Sequence, residues 1–352
     1  MPSNLEVPAK NENDERKRRQ SGKDLGLKPF SLPPTTPISP EIDKLRMSFD
    51  FNVNGNNRRI AADDLVTLCE LGRGAYGLVE KVKHPHPTGD TIMAVKRVTA
   101  TQGSKETNML LNELKILQQS KSPFIVDFYG AMFRQGDVMI CMEIMDISLD
   151  KFYMLVTKSL QLMPEDVLWT IAFSVLSGLK HLHKELQVMH RDVKPSNMLI
   201  DRNGVVKLCD FGISKILMRG SFANTVEVGC KYYMAPERID VDTKAKYSTK
   251  SDTWSFGISM IEISIGEFPY EKTVDLFKQQ KQILEGDPPS LPEDERFSPS
   301  FRSFVNRAVL KDVANRPRPI ELLEDPFLKE THHTQANVST FVNDILGPNL
   351  SE

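Results

Sequence analysis

The sequence predicts an α+β fold in which strands dominate the early part of the chain and helices the later part. Two stretches that alternate between apolar and polar residues, 65–82 and 91–98, indicate paired strands early in the chain. Farther along, apolar residues at three- and four-residue spacings across 165–184 indicate a long amphipathic helix. A chain of 352 residues, of which 40% are hydrophobic and 26% charged, can bury one large core or two medium ones, which fits two lobes.

The composition argues against several classes of protein. A formal net charge of -2 is unlike the strongly basic footprint of a protein whose main partner is nucleic acid. The cysteines Cys69, Cys141, Cys209 and Cys230 lack C-x-x-C spacing, which predicts neither a disulfide framework nor a zinc site. No apolar stretch reaches the length of a bilayer span, and the N-terminus lacks a signal-peptide core. We therefore expect a protein without a membrane partner, located in the cytoplasm, with the nucleus as an additional location.

Residues 1–64 are rich in Asn, Pro and charged residues without a sustained apolar period, which predicts a disordered tail. Within it, residues 16–27 combine the basic run Arg16-Lys17-Arg18-Arg19 with Leu25 and Leu27. The basic run is typical of a solvated charge cluster or of a nuclear-localisation signal. The alternative is a linear docking motif, whose cations bind an acidic patch while its leucines enter an apolar groove.

A glycine-rich segment follows at residues 71–79, Leu71-Gly72-Arg73-Gly74-Ala75-Tyr76-Gly77-Leu78-Val79. Glycines at these spacings let a hairpin backbone close over phosphates that a Cβ atom would hold away. The same G-x-G-x-x-G pattern opens dinucleotide-binding βαβ units, but there a helix follows directly. Here the chain continues as a strand, turns at residues 87–90 and returns as the strand 91–98. We therefore expect a hairpin that covers nucleotide phosphates.

Most of the residues suited to catalysis lie in one stretch, which we call the catalytic loop: Met189-His190-Arg191-Asp192-Val193-Lys194-Pro195-Ser196-Asn197. Cys209-Asp210-Phe211-Gly212 follows a short distance later. In-line phosphoryl transfer needs a carboxylate to orient a hydroxyl, a cation for the moving phosphoryl group, and oxygen ligands for magnesium. Asp192 and Lys194 fit the first two roles. Asn197 and Asp210 fit the third, because amide and carboxylate oxygens suit a hard cation.

These stretches, together with Met93-Ala94-Val95-Lys96 on the returning strand, resemble the motifs of the eukaryotic protein kinases in order and spacing. The resemblance implies the bilobal kinase fold over residues 65–328, with a small lobe at 65–142, a hinge at 143–146 and a large lobe at 147–328. It also implies ATP and Mg²⁺ as cofactors.

The resemblance assigns further residues to nucleotide binding. Lys96 would hold the α- and β-phosphates and pair with Glu113, which lies on a helix predicted over 105–119. The hinge backbone at Glu143 and Met145 would hydrogen-bond adenine, with Met142 as the gatekeeper beside it.

A narrower resemblance rests on the hydroxyl pair in Ser221-Phe222-Ala223-Asn224-Thr225 and on Gly229-Cys230-Lys231 before Tyr233-Met234-Ala235-Pro236-Glu237. Together they are similar to the MAP kinase kinases, particularly the stress-activated branch. This resemblance implies a dual-specificity enzyme that phosphorylates Thr and Tyr in the activation loop of a MAP kinase. It also implies activation at Ser221 and Thr225 by a MAP kinase kinase kinase. The alternatives are a Ser/Thr kinase with other substrates and a pseudokinase scaffold.

The C-terminal part yields three further predictions. Residues 251–257 open a buried helix whose Asp252 braces the catalytic loop, and Arg316 pairs with Glu237 in a buried ion pair. In the extension 329–352, Val338, Phe341, Val342, Ile345 and Leu346 recur at helical spacing. This pattern fits either a short helix packed on the large lobe or a docking site for the upstream kinase.

Overall fold

The computed structural model describes residues 48–53, 56–74, 77–99, 121–134, 137–210, 232–240, 248–271, 275–329 and 335–347. Several predicted features lie outside these residues: the motif at 16–27, Ala75 and Tyr76 of the glycine-rich segment, the helix at 105–119 with Glu113, and the hydroxyl residues Ser221 and Thr225. None of the helices within the described residues is both long and apolar enough to cross a membrane.

The strands of the small lobe are β1 (Ser48–Val53), β2 (Asn56–Ala61), β3 (Val66–Gly74), β4 (Gly77–His84), β5 (Thr91–Thr99), β6 (Phe128–Arg134) and β7 (Asp137–Met142). The last five form an antiparallel sheet in the order β3-β4-β5-β7-β6. Side chains alternate between the two faces of a strand, so Met93 and Val95 pack in the core of the lobe. Ala94 and Lys96 face the other way and line the cleft toward the large lobe.

The strands β1 and β2 form a hairpin that packs on the rest of the small lobe. The Phe51 ring lies 4.3 Å from the Tyr129 ring, between centroids, and Ile60 is fully buried. Phe49 covers Gly130 so closely that a Cβ atom there would lie 2.2 Å from the Phe49 ring. The prediction of a tail that stays disordered up to residue 64 is therefore wrong over the described part of residues 48–64.

The physical reason is that these few residues do bury apolar surface, although the average composition of the segment is polar. A buried arginine completes the attachment: Arg58 donates hydrogen bonds to Thr88 Oγ1 at 2.6 Å and to the Gly89 carbonyl at 3.0 Å. The hairpin thus belongs to the folded lobe, although it precedes the predicted boundary.

The elements of the large lobe are β8 (Ile147–Ser148), α1 (Leu149–Lys158), α2 (Glu165–Lys184), β9 (Met198–Ile200), β10 (Val206–Leu208), α3 (Pro236–Ile239), α4 (Thr249–Ile265), α5 (Leu276–Glu285), α6 (Pro299–Ala308), α7 (Pro319–Leu322), α8 (Pro326–Lys329) and α9 (Gln335–Leu346). The strands β8, β9 and β10 form a small antiparallel sheet beneath the cleft.

The helix α2 has the bounds that its apolar spacing predicts. Acidic Glu165 and Asp166 occupy its first turn and Lys184 its last, which complements the helix dipole. Its apolar face is fully buried, including Leu168, Ile171, Val175 and Leu182. The helix therefore supplies much of the large-lobe core beneath the catalytic loop.

The predicted buried helix is α4, and the predicted ion pair holds the segment before it. Arg316 is fully buried and donates to both carboxylate oxygens of Glu237, at 2.9 and 3.1 Å. Two parallel hydrogen bonds of this kind fix orientation as well as charge. Both predictions are confirmed.

The C-terminal helix α9 packs on the large lobe. Val338 and Val342 are fully buried, and the Phe341 ring meets Phe152 of α1 edge-on at 6.2 Å between centroids. The described fold therefore continues past residue 328. Packing on the lobe is the arrangement observed, while docking of an upstream kinase stays a prediction.

Candidate active site

A cavity of about 320 Å³ lies in the cleft between the lobes. It is lined by thirteen of the residues to which the sequence assigns a role: Leu71, Gly72, Arg73, Gly77, Val79, Lys96, Met142, Glu143, Met145, Asp192, Lys194, Asn197 and Asp210. Gly74 and Leu78 lie in the hairpin beside it, opposite Gly77 and Arg97 respectively, and are not among its described lining residues. Elements far apart in the chain thus converge on one space.

The β3–β4 hairpin forms the roof of this cavity and depends on Gly77. That residue has a φ of 139°, and a Cβ atom there would lie 1.7 Å from the Arg97 carbonyl oxygen. Only glycine allows this approach of hairpin and neighbouring strand. From below, Lys151 of α1 donates a 2.9 Å hydrogen bond to the Leu71 carbonyl, which connects the roof to the large lobe.

Lys96 and Asp210 bring the two lobes together at the polar end of the cavity. The Lys96 Nζ atom lies 2.7 Å from Asp210 Oδ2, and the lysine side chain is 6% exposed. Asp210 has a φ of 61°, an uncommon conformation for a residue with a side chain. Backbone strain of this type is concentrated at functional sites, where the surrounding structure holds it.

The catalytic loop brings two polar side chains, those of Asn197 and Lys194, to the Asp192 carboxylate. Asn197 Nδ2 donates to Asp192 Oδ2 at 2.9 Å and to its carbonyl at 2.7 Å, and Lys194 Nζ lies 3.1 Å from Asp192 Oδ2. The short 3₁₀ helix Pro195–Asn197 turns the chain so that Asn197 reaches back to Asp192. The arrangement holds the Asp192 carboxylate in a fixed position at the cavity wall.

Asp252 supports this loop from below, as predicted. Its two carboxylate oxygens accept the backbone N–H groups of His190 at 3.0 Å and Arg191 at 2.9 Å. Arg191 has a φ of 72°, so the loop backbone is strained at this point and needs the support.

His190 links the catalytic loop to the chain just before Asp210. Burial lowers the pKa of this fully enclosed imidazole, so it is neutral. The Asp192 N–H donates to Nδ1 at 3.3 Å, which assigns the ring proton to Nε2 and makes it the donor to the Cys209 carbonyl at 3.0 Å. Neutral His190 therefore fixes the spacing between Asp192 and Asp210.

The hinge segment also lines the cavity, through Glu143, Met145 and Asp146. The Glu143 carboxylate accepts hydrogen bonds from Lys207 Nζ at 2.6 and 2.7 Å and from the Asp127 N–H at 3.0 Å. These bonds anchor its side chain, and the Glu143 N–H donates to the Asp127 carbonyl at 2.8 Å, so the adenine contact predicted for its backbone would involve its carbonyl. Sequence reasoning missed Asp150 and Lys151 of α1 as lining residues. No local pattern marks them, because their proximity arises only from the packing of the lobes.

The oxygen atoms of Asn197 and Asp210 at the cavity fit the metal ion that the sequence predicts. Because Asn197 donates through Nδ2, its Oδ1 atom is the one available to a cation, beside the Asp210 carboxylate. Such oxygen ligands suit Mg²⁺. The described residues contain no cluster of three or more His, Cys, Asp or Glu that would hold a resident metal by itself.

Comparison with known proteins identifies the class and then the family. The protein kinase domain matches residues 65–328, so the chain is a protein kinase. Three relatives place it within that class. The dual specificity mitogen-activated protein kinase kinase sek-1 of Caenorhabditis elegans is 47% identical over 82% of this chain and 85% of its own length. Protein kinase wis1 of Schizosaccharomyces pombe is 41% identical, over 83% of this chain and 48% of its own length.

MAP kinase kinase PBS2 of Saccharomyces cerevisiae is 42% identical over 84% of this chain and 44% of its own length. The chain therefore spans most of the worm relative and just under half of each yeast relative. It belongs to the MAP kinase kinase family, and the recognition of that family from its residues is confirmed.

Proposed function

We propose that this chain transfers the γ-phosphoryl group of ATP to a Thr and a Tyr in the activation loop of a stress-activated MAP kinase. The observation that carries the proposal is the convergence of Asp192, Lys194 and Asn197 with the Lys96–Asp210 pair in one cavity between the lobes. This is the set of groups that phosphoryl transfer requires.

In the proposed reaction Asp192 accepts a hydrogen bond from the attacking hydroxyl and takes its proton late, since a loose transition state needs little activation of the nucleophile. Lys194, 3.1 Å from Asp192, balances the negative charge that develops on the phosphoryl oxygens. Asn197 and Asp210 would hold Mg²⁺, which would neutralise further negative charge on the phosphates when bound.

We extend the proposal to the binding of the nucleotide. The hairpin at 71–79, including Ala75 and Tyr76, covers the phosphates, and Lys96 binds the α- and β-phosphates with Glu113 as its partner. The backbone of Glu143 and Met145 receives the base. The Lys96–Asp210 contact supports this assignment, because the two groups proposed to bind phosphate and metal lie 2.7 Å apart.

We further propose that a MAP kinase kinase kinase activates the chain by phosphorylating Ser221 and Thr225. Each phosphate adds close to two negative charges and can order a segment by forming new ionic hydrogen bonds. The motif at 16–27 would bind the downstream MAP kinase, and the place of action is the cytoplasm with the nucleus in addition.

The test uses the full chain carrying Ser221→Asp and Thr225→Asp, incubated with ATP, Mg²⁺ and a panel of inactive MAP kinases. We expect phosphorylation of both Thr and Tyr in the activation loop of one panel member, mapped by mass spectrometry. The same chain with Asp192→Asn is the control and should show no transfer. Phosphorylation confined to Ser or Thr elsewhere would identify an ordinary Ser/Thr kinase, and no transfer at all would identify a scaffold.

A further inference from the structure

Arg202, in the turn between β9 and β10, bonds to the hinge. Its backbone N–H donates to Asp146 Oδ2 at 2.9 Å, and its Nε atom lies 3.9 Å from Oδ1 of the same carboxylate. Asp146 is the last residue of the predicted hinge and lines the cavity. One side of Arg202 is thus attached to the wall of the nucleotide cavity.

The other side of Arg202 bonds to the C-terminal helix α9 and the residue that ends it. Its Nη1 atom donates to Asn343 Oδ1 at 3.2 Å and to the Gly347 carbonyl at 2.9 Å. In return, its backbone carbonyl accepts from Ser339 Oγ at 2.9 Å and Asn343 Nδ2 at 2.8 Å. Side chain and backbone of one residue therefore both engage the helix.

Close packing prevents the turn and the helix from moving separately. At Gly204, which has a φ of 78°, a Cβ atom would lie 2.9 Å from Val338 Cγ1 and 3.1 Å from the Ser339 backbone nitrogen. The turn is also rigid internally, since the Asp201 carboxylate accepts the N–H groups of Asn203 and Val205 at 3.0 and 2.8 Å. A displacement of α9 is therefore transmitted to the turn.

A second route leads from the turn to the cavity through the small sheet. The strand β9 enters the turn and pairs with β8, with Ile200 opposite Ile147 and Leu199 opposite Ser148. Leu199, Ile147 and Ser148 all line the cavity. The turn that Arg202 holds is therefore continuous with the cavity floor.

We propose that Arg202 is a positioning residue that couples α9 to the nucleotide cavity, so that the helix holds the hinge at Asp146 in its binding geometry. The coupling rests on the proposed function, since it takes a nucleotide as the ligand of the cavity. The helix lies beyond the residues 65–328 that match the kinase domain, so the coupling extends that domain. Coupling is reciprocal: nucleotide binding stabilises α9 to the extent that α9 strengthens nucleotide binding.

The first measurement is the affinity of the full chain for ATP with Mg²⁺, by calorimetric titration. Arg202→Met removes the charged donors and keeps the aliphatic length, and we expect its Kd to rise roughly fivefold, the lower end of coupling between sites. Arg318→Met is the matched control, because Arg318 pairs with Glu321 within its own helical turn, and its Kd should equal that of the wild type. In steady-state assays the KM for ATP should rise while the KM for the protein substrate stays constant.

The second measurement is amide hydrogen exchange in residues 335–346. In the wild type, ATP should slow exchange in this helix, and in Arg202→Met it should not. An unchanged Kd for ATP in Arg202→Met, or exchange in wild-type α9 that does not respond to ATP, overturns the proposal.

Asn343→Ala removes the α9 partner of Arg202 instead of Arg202 itself, so it tests the same contact if Arg202→Met does not fold. It should weaken ATP binding as well, and the effects of the two substitutions combined should be smaller than the sum of the separate effects, because they break one shared contact. Fully additive effects would contradict the proposal. If the wild type binds no ATP, the proposed function fails, an outcome distinct from a loss of coupling alone.

Discussion

The Tyr233 hydroxyl donates a 2.6 Å hydrogen bond to Oε2 of Glu262, a carboxylate buried in α4. Tyr153 of α1 donates to the other oxygen, Oε1, at 2.7 Å. Burial, and then the adjacent Glu262 charge, raise the pKa of Tyr233 far above its ordinary value, so the phenol stays protonated and remains a donor. Tyr233 lies two residues before Ala235, which caps α3. The buried Glu262 carboxylate therefore anchors the segment that enters α3.

Tyr233→Phe should therefore lower stability and affect the protein substrate more than the nucleotide. Removing one donor from a buried charged acceptor costs about 1–3 kcal/mol, measured by denaturant unfolding. We expect a higher KM for the MAP kinase substrate and an unchanged KM for ATP. Tyr270→Phe is the control, because the buried Tyr270 hydroxyl has no hydrogen-bond partner among the described residues and its removal should not destabilise the fold. Equal losses in the two variants would contradict the role of Glu262.

Arg316→Met should destabilise the large lobe strongly, because it leaves the Glu237 carboxylate buried without its cation. Breaking a buried pair from one side typically costs about 3–5 kcal/mol. The Ser251 hydroxyl also donates to Glu237 at 2.7 Å, which limits the loss without removing it. The free energy of unfolding, measured with a chemical denaturant, reports the effect. Arg318→Met is the control: it removes an exposed ion pair with Glu321 and should leave stability nearly unchanged. A small effect at Arg316 would mean that Glu237 is solvated or protonated in the native state.

Gly77→Ala and Gly89→Ala separate steric overlap from backbone strain. Both glycines have positive φ, 139° and 119°, but a Cβ atom at Gly89 would meet no described atom within 4 Å. We expect Gly89→Ala to cost about 1 kcal/mol from strain alone. Gly77→Ala should cost more and raise the KM for ATP, since its Cβ atom would lie 1.7 Å from the Arg97 carbonyl oxygen and the roof must shift. Equal KM values in the two variants would show that the roof does not depend on this contact.

The residues that carry the chemistry were predictable because phosphoryl transfer fixes their types and spacing. Asp192, Lys194 and Asn197 lie within one short loop, so a local pattern is enough to identify them, and the structure places all three on one cavity. Asp252 could be assigned to the loop only by resemblance, since it lies 62 residues from His190, which it holds.

The features that sequence reasoning missed depend on contacts without a local signal. Arg202 bonds to residues 56 and 141 positions away, and neither distance leaves a periodic pattern. The β1–β2 hairpin was missed for a different reason: the polar average of the first 64 residues outweighed the alternating Phe49 and Phe51. Phe49 packs against Gly130 and Phe51 against the Tyr129 ring. Composition describes a segment as a whole, whereas a few well-packed side chains decide whether it folds.

His190 should make stability depend on pH, because burial lowers its pKa in the folded state below the ordinary value of 6.5. Above that value both folded and unfolded histidine are neutral, and the contribution of His190 to stability is fully present. As the pH falls below about 6.5, the unfolded chain takes up a proton that the folded chain excludes, so stability decreases by at most about 1.4 kcal/mol per pH unit.

The check is the free energy of unfolding of the wild type and of His190→Asn between pH 7.5 and 5.5, and we expect the wild type to lose more across that interval. Burial also lowers the pKa of His84 in the small lobe. His84→Asn should therefore remove a further part of the dependence of the unfolding free energy on pH. Protonation of His190 would turn Nδ1 into a donor, so it could no longer accept the hydrogen bond from the Asp192 N–H. Kinase activity should therefore fall together with stability. Identical pH slopes in the wild type and His190→Asn would show that the imidazole is not held neutral by the fold.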